Sequence, residues 1–291
     1  MSTAPAPDDG VVTTREVFLA FLKLGLTAFG GPVAHLGYFR EALVVRRGWL
    51  SEAAYADLVA LCQFLPGPAS SQAGIGIGLA RAGIPGALAA WAGFTLPSAV
   101  LMIAFGYGVT AMAGGIPAGA LHGLKIVAVA VVAQAVRGMA RSLCPDWPRR
   151  WLALAATAAV LAAPATYAGM AVILAGGLAG LAFLPSAAAN TAAPFSVAPG
   201  RAVAVPALVV FGLLLAGLPL VGVLFPGPWL ALVDSFFRAG SLVFGGGHVV
   251  LPLLQAEVVP DGTVSVDAFL AGYGAAQALP GPLFTFAAYL G

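Results

Sequence analysis

Long stretches of this chain carry no charge. No Asp, Glu, Lys or Arg lies between Arg81 and Lys125, between Arg150 and Arg201, or between Arg201 and Asp234. An uncharged apolar run of about 18 residues or more reads as a membrane-spanning helix, because about 20 residues at 1.5 Å each cross the hydrocarbon core. The run after Arg150 has room for two. The pattern predicts spans at about 84–108, 116–137, 149–164, 166–184 and 202–225. Pro185, Asn190, Pro194, Pro199 and Gly200 predict a loop over 185–200.

Two regions, 16–82 and 234–291, differ from this pattern. Their apolar segments are shorter. They are interrupted at Phe29-Gly30-Gly31-Pro32, Pro66-Gly67-Pro68, Phe244 to Gly247 and Pro280-Gly281-Pro282. They also repeat each other. Phe21, Gly25, Phe29, Gly30 and Gly31 match Phe236, Gly240, Phe244, Gly245 and Gly246 at an offset of 215, and Lys23 matches Arg238 in the same register. Ser51, Gln63, Pro66, Gly67 and Pro68 match Ser265, Gln277, Pro280, Gly281 and Pro282 at an offset of 214. More than 100 residues of spanning sequence follow the first Pro-Gly-Pro, but the chain ends nine residues after Pro282. That contrast predicts a fragment or truncated form of a longer protein. The expected organisation is a disordered polar tail over 1–14 and a first repeat over 15–226. That repeat has re-entrant hairpins over 16–82 and spans over about 84–225. A truncated second repeat over 227–291 follows.

Composition narrows the class. Of 291 residues, 60% are hydrophobic and 8% are charged, too few charges to make a water-exposed surface. The net charge of +2 without a basic stripe excludes nucleic acid as a partner. Cys62 and Cys144 form neither a metal-ligand spacing nor a disulfide framework. No cofactor motif is present. GxxxxGK[ST], HExxH and GxSxG are absent, and the acids Asp57, Asp234, Glu257 and Asp267 are scattered, which argues against an enzyme or sensor.

Lys and Arg favour the cytoplasmic side. Arg40, Arg46 and Arg47 form one basic loop, and Arg137, Arg141, Arg149 and Arg150 form another. With both inside, segments 16–40 and 51–80 must each enter and return to the same face. Five spans separate the repeats, so the second enters from the opposite face. The predicted fold class is therefore an all-α, polytopic membrane bundle with broken or re-entrant helices. They are arranged as an inverted-topology repeat whose second copy is incomplete. The bilayer is its solvent.

Inverted repeats with broken helices point to transport. A helix restarting in mid-membrane turns free N–H groups on an anion, and Pro32 and Pro68 suit the first turn of such a helix. The candidate anion site comprises Gly30, Gly31, Pro32, Pro66, Gly67, Pro68, Ser70, Ser71 and Gln72 in the first repeat. In the second it comprises Gly245, Gly246, Gly247, Pro280, Gly281 and Pro282. Thr285 stands where Ser71 does. Lys23 and Arg238 are candidate cations, with snorkelling or structural pairing as the alternative. His35 and His248 are candidate ligands or proton relays, or else hydrogen-bonded helix-end histidines. Gln63 and Gln277 either bind substrate or bond helix to helix. No metal site is expected.

At these residues the chain resembles the chromate ion transporter family. The resemblance rests on FxKLGxxxFGGPxAH (Phe21 to His35), RGWL (Arg47 to Leu50), QFLPGP (Gln63 to Pro68) and IGxxxAGIPGAxxAxxGFxLPS (Ile77 to Ser98). It continues in FFRAGSLVFGGGHVVLPLL (Phe236 to Leu254) and GYGAAQALPGP (Gly272 to Pro282). The resemblance implies a multi-pass inner-membrane carrier that exports chromate and confers chromate resistance; sulfate is isosteric with chromate, and a carrier of the same fold for sulfate or another oxyanion is the alternative. The resemblance also implies working in pairs for single-repeat members, so a homodimer is one expected assembly.

Overall fold

The computed structural model describes residues 12–111, 117–162, 168–183, 200–243, 254–255, 258–259 and 264–291. Among these residues the secondary structure is helical, with no strand. The predicted loop at 185–200 lies outside the described residues except Gly200. Two compact units divide the chain. One holds residues 1–129 and 192–291, and the other holds 130–191.

The first unit contains both repeat regions. Helix α1 (Thr14–Thr27) opens with a capping box: Glu16 N–H donates to the Thr13 hydroxyl, and Thr13 N–H donates to the Glu16 carboxylate. Thr13 and Thr14, expected in the disordered tail, therefore cap and begin a helix. Helix α2 (Gly31–Phe39) continues as a π-helical turn over Arg40–Val45. Helix α3 (Glu52–Phe64) is capped by Ser51. Two hydrogen bonds from Arg40 to Glu52, 2.8 and 2.6 Å, brace the π turn against α3. They hold the Arg40 guanidinium above its ordinary pKa.

Helix α4 (Ala69–Ala111) is broken at Ala82 and Gly83, where Gly83 has φ +64°. It is therefore two arms, 69–81 and 84–111. The break falls one residue before the predicted start of the 84–108 span. The longer arm packs against α1 along a seam of glycines. A Cβ at Gly25 would lie 2.7 Å from the Gly93 carbonyl oxygen, and one at Gly93 would lie 2.7 Å from the Phe18 carbonyl oxygen. Backbones approach this closely only where neither helix carries a side chain, as small residues permit in lipid.

Helices α5 (Ala118–Leu143), α8 (Arg201–Leu224) and α9 (Pro228–Ser241) follow the sequence pattern. So does α10 (Val266–Ala278), which leads through a 3-10 turn (Leu283–Phe286) into the short α11 (Ala287–Leu290). Helix α8 is apolar all round and buries none of its residues in protein. Such a helix needs an apolar solvent. It and the α4 stretch are long and apolar enough to cross a membrane.

Two apolar clusters fill this unit. One gathers Phe21, Phe39, Leu43, Ile77 and Phe94 from α1, α2, the π turn and both arms of α4. The other gathers Phe269, Tyr273, Phe286 and Leu290 from the second repeat around Met102. The 84–111 arm thus supplies Phe94 to one cluster and Met102 to the other. In the second unit α6 (Trp147–Ala162) packs with α7 (Ala168–Phe183), and Trp147 stacks on Trp151.

Candidate functional site

The repeated motifs fold into repeated breaks. α1 ends at Ala28, in extended conformation, and Gly30 (φ +94°) and Gly31 (φ +77°) turn the chain into α2 with Pro32 in its first turn. α3 ends at an extended Leu65, and Gly67 (φ +120°) turns the chain into α4. In the second repeat α10 ends at an extended Leu279, and Gly281 (φ +101°) makes the equivalent turn. α9 ends at Ser241, and Gly245, Gly246, Gly247 and His248 lie outside the described residues.

The two repeats are tied crosswise at these turns. Gly67 N–H donates to the Val243 carbonyl at 2.7 Å, and Gly281 N–H donates to the Ala28 carbonyl at 2.9 Å. Gly67 and Gly281 are counterparts at offset 214, and Ala28 and Val243 are counterparts at offset 215. Each Pro-Gly-Pro turn is therefore hydrogen-bonded to the backbone that precedes the other repeat's Phe-Gly-Gly sequence. These bonds take up the two glycine N–H groups. The donors left at the start of α4 are the N–H groups of Ala69, Ser70 and Ser71, since first-turn groups have no helical acceptor and Gln72 N–H already bonds Pro68.

Around the turns, Ser70 is buried and Ser71 half-buried. The Gln72 amide folds back so that Nε2 donates to the Pro66 carbonyl at 2.8 Å. Its Oε1 is buried without a partner among the described residues. His35 is 1% exposed, edge-on to Phe94 at 5.2 Å, with the Ala28 backbone beside it. Among the described residues neither of its ring nitrogens meets strict hydrogen-bond geometry, the Ala28 backbone being the nearest partner. A buried polar group without a partner is costly, so an unfilled donor or acceptor beside the break marks a place that a ligand can complete.

The remaining candidates stand apart from one another in character. Lys23 is exposed on α1. Arg238 is paired with Asp234 on its own helix at 2.8 Å, the structural alternative weighed for it. Gln63 is exposed, whereas its counterpart Gln277 is buried and donates to the Tyr273 hydroxyl at 2.7 Å. Pro66 and Pro68 are half-buried, while Pro280 and Pro282 are buried. Sequence reasoning missed Ala28 and Val243 as the acceptors of the crossed bonds. It also gave no role to Ser98, although Ser98 closes one of the motifs quoted for the family.

Among the described residues, an all-helical fold with a long, apolar, unburied helix and helix breaks hydrogen-bonded across two repeats fits a membrane transporter. Residues 15–181 and 230–291 match the chromate transporter family, and the chain belongs to that family. The family is one of transporters, not of enzymes. A chromate transport protein of Pseudomonas aeruginosa is 31% identical over 95% of this chain and 65% of its own length. A chromate transport protein of Cupriavidus metallidurans is 26% identical over 96% of this chain and 67% of its own length. An uncharacterized transporter of Methanocaldococcus jannaschii is 40% identical over 88 residues, 30% of this chain and 22% of its own length. The chain thus spans about two thirds of the length of the chromate transport proteins it matches. No solved structure matches it.

Proposed function

We propose that this protein carries chromate outward across the inner membrane as a multi-pass transporter, and that the anion passes the layer where the two repeats interlock. The crossed pair of hydrogen bonds, Gly67 to Val243 and Gly281 to Ala28, carries this reading. Irregular backbone is tolerated at membrane depth only where protein buries it or where it lines a cavity. Two helix starts lie beside that layer, at Gly31 and Ala69. Their N–H groups and dipoles favour a negative charge. Ser70, Ser71 and His35 supply neutral donors, while the Gln72 amide holds the Pro66 carbonyl of the turn. The names of the Pseudomonas and Cupriavidus relatives support chromate as the cargo.

Backbone and hydroxyl donors read charge and tetrahedral shape, not the central atom. Sulfate therefore competes for the same path. One charge crossing 100 mV is worth about 2.3 kcal/mol, so a dianion leaving a negative-inside cell gains about twice that. Membrane potential suffices to drive export, with or without proton exchange, and export of this kind confers chromate resistance. The repeats enter the membrane from opposite faces, the hairpins 16–82 and the region 227–291 forming the two halves of the path.

The test follows chromate loss from preloaded cells expressing the protein, with variants matched for membrane abundance. Ser70→Ala/Ser71→Ala and Gly31→Leu should each slow loss at least about tenfold, the scale of one or two lost charge-assisted hydrogen bonds. Excess external sulfate should leave outward chromate loss intact, while co-loaded sulfate should compete with it. Equal loss in wild type, variants and empty cells would remove both the path and the cargo.

A further inference from the structure

We propose that Ser98 is a positioning residue, which holds the second repeat's Pro-Gly-Pro turn against the first repeat's break and so fixes the start of α2. This deepens the transport reading and rests on it.

Ser98 lies on the 84–111 arm of α4 and is 2% exposed. A buried hydroxyl needs a partner. Its Oγ lies 2.7 Å from the Thr285 Oγ1, across 187 residues of sequence. Thr285 is itself buried and donates its one proton to the Pro282 carbonyl at 2.8 Å. A hydroxyl has one proton and two lone pairs, so Ser98 is the donor to Thr285. The relay runs from Ser98 through Thr285 to the carbonyl of the turn.

The turn has no slack on its other side. A Cβ at Gly281 would lie 2.7 Å from Ser98 Cβ and 3.3 Å from the Gly25 carbonyl oxygen. Gly281 is thus seated in a notch between α1 and α4. From there its N–H reaches the Ala28 carbonyl at 2.9 Å. Ala28 caps α1, lies beside His35, and is followed within three residues by the start of α2. Ser98 acts on the start of α2 through this chain of contacts, by way of Gly281 and Ala28.

The first repeat braces its own turn differently. A Cβ at Gly67 would lie 2.6 Å from Gln72 Nε2, and the same amide nitrogen bonds the Pro66 carbonyl. The counterpart of Gln72 at offset 214 is Phe286, which has no polar atom to offer. Ser98 does across the repeats what Gln72 does within one. The two braces are separate and can be removed separately.

Hydrogen–deuterium exchange on the purified protein in lipid nanodiscs tests this, with peptides covering 279–286 and 65–72. Ser98→Ala and Thr285→Val should each speed exchange in the 279–286 peptide by about fivefold or more, the scale of one lost hydrogen bond. The 65–72 peptide should stay at the wild-type rate. Thr285→Ser should behave as wild type, and the double variant should exchange no faster than either single one. In flux assays Ser98→Ala should raise KM for the exported anion about three- to tenfold with kcat within about twofold. Unchanged exchange at 279–286 would overturn the proposal, as would equal acceleration at both turns, which marks general loosening. Faster exchange with unaltered KM would make Ser98 a brace with no bearing on the site, which also overturns it. Absence of flux for any tetrahedral oxyanion in wild type would instead remove the transport reading, and the exchange result would still decide the brace.

Discussion

Lys23 and Arg238 occupy the same position in the two repeats, yet one of the differences around them changes their charge environment. Asp234 sits one helical turn before Arg238, and its counterpart at offset 215 is Leu19. Arg238 is therefore neutralised by an i,i+4 pair, with Asp234 buried and the Arg238 side chain 41% exposed, while Lys23 has an apolar residue in place of the acid. Removing one member of a buried pair leaves an uncompensated charge, at a cost of several kcal/mol when solvent is excluded. The partial exposure of Arg238 reduces that to about 1–2 kcal/mol. Asp234→Asn should lower the melting temperature of the purified protein, and Asp234→Asn/Arg238→Gln should recover most of the loss. Lys23→Gln should leave the melting temperature unchanged. If it nevertheless abolishes flux while the double variant transports, the substrate meets one cation on its path and not a symmetric pair.

Helix pairs meet here through glycine, and the two arms of α4 show how much depends on it. A Cβ at Gly86 would lie 2.3 Å from the Gly78 carbonyl oxygen, and a Cβ at Gly78 would lie 2.3 Å from that of Gly86. Even alanine forces the arms apart, and overpacking of this kind costs about 1–3 kcal/mol. Gly86→Ala should therefore lower the melting temperature by several degrees. Gly108→Ala, on the same arm with open space around it, should be neutral or slightly stabilising, because alanine is the better helix former by about 1 kcal/mol. Equal effects of the two would mean that the arms do not close on each other. The elements themselves were largely legible in sequence, because an uncharged run with Gly-Pro interruptions constrains where helices can lie. The predicted span 202–225 is α8 at 201–224, and 116–137 opens α5, which runs on to Leu143. The π turn after α2 left no sequence signal, since it depends on Arg40 reaching Glu52. The site was legible only as breaks. That Gly67 and Gly281 donate to carbonyls of the opposite repeat, or that Ser98 reaches Thr285, depends on contacts between residues far apart in the sequence, which no local pattern encodes.

At the scale of the whole molecule, the crossed bonds have the form of a two-fold contact: a group in the first repeat bonds a group in the second, and their counterparts bond in return. Reciprocal contacts of this kind are what two-fold symmetry produces. They leave open whether the axis lies in the membrane plane or along its normal, since both generate the same pairing. Five predicted spans lie between the repeats, an odd number, and that count predicts a second repeat entering from the other face and an axis in the plane, as in inverted-repeat carriers. Glu52 and Val266 make this testable, because they are counterparts at offset 214, both exposed, at the first positions of α3 and α10. In a background with Cys62→Ala and Cys144→Ser, Glu52→Cys should react with an impermeant maleimide only from the cytoplasmic face and Val266→Cys only from the opposite one. Reporter fusions in the 137–150 and 185–200 loops should both read as cytoplasmic. Labelling of Glu52→Cys and Val266→Cys from one face would put the axis along the membrane normal. The helix starts of both repeats would then point the same way, and an anion leaving one half of the path would meet no equivalent, oppositely directed half to receive it.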